Sequence, residues 1–241
     1  MSTYPGRGLH GQAVQELAHR IVSGTHAPGD LLDPEALEAE LGMSRTVVRE
    51  ALKVLAAKGL VDARPRRGTF VRPREAWSLL DPDLLRWQFQ SGGQAGFLDD
   101  LAELRQTVEP AAARLAASRG SEEARTALDA SLAAMRAADG DRDAFIDADL
   151  SFHRALLWAT GNELLARMEV VIETGLRARG RLVHGVLDWR DSVPAHAAVL
   201  AGVRQRDPTA AAAAMTELLA ASDRDLARAR RRAPGPAQQA P

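Results

Sequence analysis

The sequence holds no cysteine, and all but two of its 31 basic residues are arginine, the exceptions being Lys53 and Lys58. The first absence excludes disulfides, thiolate metal ligands and a cysteine nucleophile. Long apolar runs are missing too. No stretch approaches the roughly 20 residues needed to cross a bilayer, and no apolar segment follows charged residues near the start, so a cytoplasmic protein with no membrane partner is expected. Net charge is also absent, at −1 overall. A chain without a cationic excess is not a general polyanion binder, and any contact with nucleic acid has to come from a local concentration of charge.

Such a concentration exists. Residues 45–74 carry nine Lys/Arg against two acids, a local balance of +7, which is the footprint of a small nucleic-acid-binding module in an otherwise acidic chain. Within it, the stretch 43–60 reads as an amphipathic helix. Ser44 is an N-cap, Gly59 suits the position after the helix, and Val47, Val48, Ala51, Leu52 and Leu55 form a buried stripe. Arg45, Thr46, Arg49 and Lys53 fall on the opposite face, where cations and a hydroxyl can reach phosphates and base edges in a major groove. A basic outer face can also be simple solvated surface, and the neighbouring elements decide between the two. Val14, Leu17, Ala18, Ile21 and Val22 mark one helix upstream. Asp33-Pro34 starts a second that ends at Leu41-Gly42. Downstream, two strand-like pieces at 60–63 and 69–71 flank a basic tip of Arg64, Pro65, Arg66, Arg67 and Gly68. Helix, helix-turn-helix and a basic two-stranded wing together predict a winged helix-turn-helix.

The segments MSRTVVREALKVLAAKGLV and RPRRGTFV resemble the winged-helix domain of GntR-type bacterial transcription regulators, and the helical remainder resembles their FadR-type branch, whose effector domain is called FCD. Within that branch RPRRGTFVRPREAWSLLDPDLLRW is most similar to regulators of sugar-acid catabolism of the galactonate-operon type. The resemblance spans about residues 9–229. It implies that Ser44, Arg45, Thr46, Arg49, Lys53, Arg64, Arg66, Arg67 and Gly68 meet DNA. One departure stands out: the family often has Arg near the start of the second helix, where this chain has Glu35.

With 241 residues, 46% of them hydrophobic, the chain can build two cores. The expected division is a DNA-binding domain at 1–74, a linker at 75–96, an all-helical effector-binding and dimerisation domain at 97–229, and a disordered basic then Pro- and Gln-rich tail at 230–241. The linker is too apolar to be merely flexible; a helix over 82–90 is expected to pack and to fix domain orientation. From residue 97 onward the periodicity is helical throughout, with helices expected at about 97–119, 121–138, 143–159, 163–179, 189–206 and 208–229. Pro110 should kink the first. The fold class is therefore mostly α, a winged helix-turn-helix followed by an antiparallel helical bundle.

Inside the bundle, Asp149 and His153 lie four apart, on one helical face flanked by Phe145, Phe152 and Leu156. A buried carboxylate beside a buried imidazole requires compensation by a metal or by a hydrogen-bond network. His196 is a third candidate. Two readings stay open from spacing alone, a satisfied Asp-His pair and a site for Zn, Ni, Mn or Fe(II). The resemblance implies the second: metal-binding FCD domains place ligands at the positions of Asp149 and His153 in DADLSFH and of His196 in PAHAAVL. A further family histidine falls at about Leu218 in AMTELLAAS, where this chain has none. Arg105, inside an apolar stripe in LRQTVEP, is a candidate partner for an effector carboxylate or for Glu109 on its own helix. Asn162 and Arg177 are candidate cavity residues.

These features converge on a dimeric regulator, expected to repress a carbohydrate-acid operon, that binds double-stranded operator DNA and is released by a small organic acid, with a divalent ion as possible cofactor. A regulator whose signal is the metal itself is the alternative. A metal-dependent enzyme acting on sugar acids is disfavoured, because no further nucleophile or base stands at a recognisable spacing.

Overall fold

The computed structural model describes residues 8–91, 94–138, 140–183 and 189–232. They fall into two compact units, Met1–Phe97 and Leu98–Pro241, each with its own core.

In the first unit α1 (Gly8–Val22), α2 (Pro34–Leu41) and α3 (Arg45–Ala57) are followed by strands β1 (Val61–Arg64) and β2 (Gly68–Val71) and by α4 (Pro82–Gln90). Local chemistry sets the boundaries. The Asp33 carboxylate accepts from the Glu35 amide to open α2, with Pro34 in the first turn, and Gly42 closes it in the left-handed conformation at φ 63°. After a turn of two residues, Ser44 caps α3 by accepting from the Val47 amide at 3.4 Å. Val48, Ala51, Leu52 and Leu55 of α3 bury themselves with Val14, Leu17 and Ile21 of α1. Gly59, with φ +79°, ends α3 where a Cβ would lie 2.8 Å from the Ala76 carbonyl oxygen. Both the turn and the chain returning from the wing therefore demand a residue without a side chain. The wing is an antiparallel pair in which Val61 faces Val71 and Arg64 faces Gly68.

The segment 75–96, expected as a linker, contributes to the first unit's core. Asp81 caps α4, and Leu84 and Trp87 join the cluster built by α1 and α3. Trp87 donates its indole N–H to Gln15 of α1 at 2.6 Å. Lys58, at the end of α3, places its ammonium 2.7 Å from Asp83 and 2.9 Å from Asp81, so the tryptophan and the ion pairs fasten α4 to both earlier helices.

The second unit is all helical among its described residues: α5 (Gln94–Arg119), α6 (Glu122–Ala137), α7 (Arg142–Ala159), α8 (Glu163–Arg167), α9 (Glu169–Val183), α10 (Val193–Arg204) and α11 (Pro208–Arg232). Phe145, Phe152, Leu156, Met135, Val199 and Met215 sit at the centre of its core. Gly202 lets α10 and α11 approach so closely that a Cβ there would lie 2.6 Å from the Ala211 amide nitrogen.

α5 runs as one helix with Pro110 inside it, and three local expectations need correction. The helix expected over 163–179 is two, α8 and α9, with Met168 between them and α9 running on to Val183. The helix expected over 189–206 begins only at Val193, after a 3-10 turn at Trp189–Ser192, because Pro194 is tolerated in a first turn and not in a helix interior. Finally, the start of the supposed tail is helical to Arg232, with Arg230 held 2.7 Å from Asp99; residues 233–241 lie outside the described residues. No helix among the described residues is long and apolar enough to cross a membrane.

Candidate functional site

Two places in the molecule gather chemistry-bearing side chains. The first is the outer face of α3 with the wing. Ser44, Arg45, Thr46, Arg49 and Lys53 are all exposed, and the cations at 45, 49 and 53 recur every fourth residue, which keeps them on one side of the helix. Their internal pairing is loose. Arg45 lies 3.8 Å from Glu35 of α2, with both groups half or more exposed, and Lys53 lies 2.7 Å from Glu50 on the surface. Exposed pairs of this kind contribute little to stability and exchange readily for a phosphate. At the wing tip Arg64, Arg66, Arg67 and Gly68 are exposed. The guanidinium of Arg67 stacks 4.0 Å from the Phe70 ring centroid and that of Arg64 lies 5.5 Å from it, so the ring steadies both arginines without neutralising either.

The second place is a cavity of about 290 Å³ inside the helical unit. Asp149 and His153 of α7, His196 of α10 and Arg105 of α5 line it, together with Arg179 of α9 and Leu218 and Ser222 of α11. Asp149, His153 and His196 each turn one ligand atom inward, and these atoms lie within 4.8 Å of one another. His196 Nε2 is 3.0 Å from the Asp149 carboxylate, and His153 Nε2 is 3.8 Å from it. The outer nitrogens are held from behind. His196 Nδ1 is 2.9 Å from the Ser192 carbonyl oxygen, and His153 Nδ1 is 2.6 Å from the buried Glu109 carboxylate. With a cation at the centre, the acceptors behind both rings would hold the proton on Nδ1 and turn each Nε2 lone pair toward the ion. The donor set of one carboxylate oxygen and two imidazoles, oriented in this way, fits a divalent cation of the Zn, Ni or Mn type.

Charge in the cavity is closely matched on one side. The Arg105 guanidinium meets Glu109 at 2.6 Å and lies 3.3 Å from His153 Nε2. Burial pushes the Glu109 carboxyl upward, but Arg105 and His153 outweigh it and hold the group down to about 2. Asp149 is likewise raised by burial and more strongly lowered by its contact with His196 and by the neighbouring charges, so it stays ionised. On the other side, burial and the charge of Arg105 pull Arg179 down to about 10, which still leaves it cationic at neutral pH.

The cavity does not include every residue suggested by the sequence. Asn162 is the exposed N-cap of α8, and its side-chain oxygen accepts from the amides of Leu164 at 3.0 Å and Leu165 at 3.3 Å. Arg177 points outward to Asp147 at 2.8 Å. It lies two residues from Arg179, a rotation of about 200° around a helix, which carries it to the far face. Arg179, Ser222 and Glu109's approach to His153 were missed. A signal for the first two existed: Ile172, Leu176, Arg179 and Val183 share one stripe, as do Met215, Leu218, Ser222 and Leu226, and a polar residue inside an apolar stripe is the pattern that singled out Arg105.

Comparison with known proteins places both regions in one setting. Residues 9–71 match the family described as bacterial regulatory proteins, gntR family, and residues 100–221 match the FCD domain. The galactonate operon transcriptional repressor of Escherichia coli (strain K12) is 33% identical over 213 residues, covering 87% of this chain and 93% of that protein. A probable D-xylose utilization operon transcriptional repressor of Paenarthrobacter nicotinovorans is 29% identical over 188 residues, covering 77% and 74%. Among solved structures, a GntR protein of Streptococcus agalactiae aligns with a TM-score of 0.51 and 25% identity over 90% of this chain and 100% of its own.

Proposed function

Because the chain belongs to the GntR family of DNA-binding bacterial transcription regulators and carries its FCD domain, we propose that it represses a carbohydrate-acid catabolism operon and leaves its operator when a small carboxylate enters the helical unit. The observation that carries this reading is the enclosed cavity, where arginines and the Asp149, His153 and His196 set converge within a regulator rather than an enzyme. Similarity to a galactonate operon repressor supports the sugar-acid class.

On the DNA side, Arg45, Thr46, Arg49 and Lys53 enter a major groove while Arg64, Arg66, Arg67 and Gly68 of the wing meet the adjoining backbone, and Ser44 fixes the start of the reading helix. A homodimer would present two such helices to a pseudo-palindromic site. In the cavity, Asp149, His153 and His196 would hold the divalent ion, with Ser192 and Glu109 orienting the rings. A bound ion supplies positive charge that attracts an anionic effector. Release then follows as a shift of population: the effector binds more tightly to an arrangement of the dimer whose recognition helices no longer match the half-site spacing.

The test is operator binding by the intact protein to its own promoter region, with galactonate, gluconate and lactate added in turn. Release by one of them is the expected result, and specific binding that no acid disturbs would remove the effector reading. A second reading has an observation of its own. Both histidines are oriented by groups of the protein, Ser192 and Glu109 behind them, so the donor set is arranged before any organic ligand arrives, as an ion-sensing site requires. Operator release by a chelator alone would favour it. Asp149→Ala or His153→Ala should abolish stoichiometric metal by elemental analysis; operator binding that persists in those variants fits the effector reading, and operator binding lost with the metal fits the ion-sensing one.

A further inference from the structure

Arg105 is poorly suited to anchor a carboxylate. Its guanidinium is already matched by Glu109 at 2.6 Å, and the Asp149 carboxylate lines the same side of the cavity, so an incoming carboxylate meets two acidic side chains there and a cation that is already paired.

The opposite wall differs. Arg179 of α9 reaches α11, where it donates to the Ser222 backbone carbonyl at 2.7 Å. No carboxylate lies within ion-pair distance of it among the described residues, and its Nε is buried without a hydrogen-bond partner. The hydroxyl of Ser222, a residue only 9% exposed, is equally buried and unpartnered. Both residues line the cavity. Arg224 and Arg228 line it as well, but they are exposed and hydrated, and Arg228 stands 3.8 Å from Asp225. A buried guanidinium N–H and a buried hydroxyl, both unsatisfied on residues that line one cavity, are costly unless a ligand completes them. A carboxylate brings two acceptor oxygens and a charge that offsets that of Arg179.

We propose that Arg179 and Ser222 form the carboxylate anchor of this cavity, and that the ligand is a hydroxy acid whose hydroxyl-bearing chain extends toward Asp149, His153 and His196. The inference rests on the effector reading above and sharpens it. It also separates two kinds of affinity. Carboxylate capture at Arg179 does not require the divalent ion, whereas the hydroxyl end does, so a chelated protein should keep a weakened preference for acid over polyol.

The experiment is calorimetric titration of the full chain with galactonate, gluconate and lactate, and with galactitol, which has a neutral alcohol in place of the carboxylate of galactonate. The wild type is expected to bind at least one acid. Arg179→Gln should lower that acid's affinity by about tenfold to a hundredfold, the range for losing a charge-assisted bond, and leave galactitol unchanged. Ser222→Ala, which removes one oxygen and leaves the backbone bond of Arg179 in place, should cost the acid about fivefold and carries the test if Arg179→Gln does not fold. Acid affinity unchanged in both variants would overturn the assignment. So would an equal loss of acid and galactitol, which would mean that Arg179 only ties α9 to α11. A wild type that binds none of the acids would instead remove the effector reading itself, and the anchor with it.

Discussion

Arg45 and Arg49 on α3 stand in solvent with at most a loose neighbour, whereas Arg105 is buried among the helices of the second unit and Arg179 is half-buried there with its Nε out of solvent. An exposed guanidinium keeps its hydration and is available to any phosphate that approaches, so affinity on that face comes from the number and placement of cations. An enclosed guanidinium has lost its water and must be answered by particular partners. Arg105 has one in Glu109; Arg179 has a backbone carbonyl. On the proposed function the contrast separates a face that reads a polymer from a cavity that selects a small molecule, with burial, not residue type, determining which task an arginine performs.

The comparison breaks most severely at Glu109. Replacing it by Ala removes the partner of both Arg105 and His153 and leaves a buried, uncompensated cation, so Glu109→Ala should destabilise the helical unit by about 3 kcal/mol or more. Urea unfolding checks this, and a wild-type midpoint would mean that the buried pair carries no such role. On the exposed face the expectation is reversed. Arg49→Ala should leave the unfolding curve in place and cost about 1–3 kcal/mol of operator affinity, read by fluorescence anisotropy at fixed salt. Loss of stability without loss of affinity would place Arg49 in the fold rather than in recognition.

Smaller effects sharpen the boundary of the cavity. Asn162→Ala should cost about 1 kcal/mol of stability through the lost cap of α8 and leave the response to effector intact. Arg177→Ala, on the outer face of α9, should cost about 0.5 kcal/mol or less with no change in effector response, in contrast to its neighbour Arg179. A shifted effector response in either variant, measured by the same anisotropy titration, would extend the cavity beyond the walls described.

How much of this could be read from the chain follows from how far apart the participants lie. The caps at Asp33 and Ser44, the buried face of α3 and the wing's basic tip are all set by neighbours within a few residues, so the pattern of residues 33–71 contains them. The pair Asp149 and His153 is visible for the same reason, being one turn apart. The contact of Glu109 with His153 joins α5 to α7, and that of Arg179 with Ser222 joins α9 to α11; no periodicity within a single helix specifies either. Arg177 and Arg179 are both polar residues of α9, and only the helix phase separates them: the stripe through Ile172 and Leu176 continues to Arg179 and passes Arg177 by. Asn162 shows the opposite case, a polar residue after Gly161 whose capping role local pattern alone explains. Pro194 falls inside the helix expected over 189–206, yet its own stereochemistry demands a start close by, and α10 begins at Val193.

The central claim is that the exposed arginines hold the operator while the enclosed cavity decides when they let go. It is tested most directly by titrating the promoter fragment with wild-type protein and with Arg179→Gln in parallel, each with and without the sugar acid that releases the wild type. The account predicts equal operator affinity in the absence of acid, with release of the wild type alone at an acid concentration that leaves the variant bound. Release of both at the same concentration, or loss of operator binding by the variant before any acid is added, would contradict it.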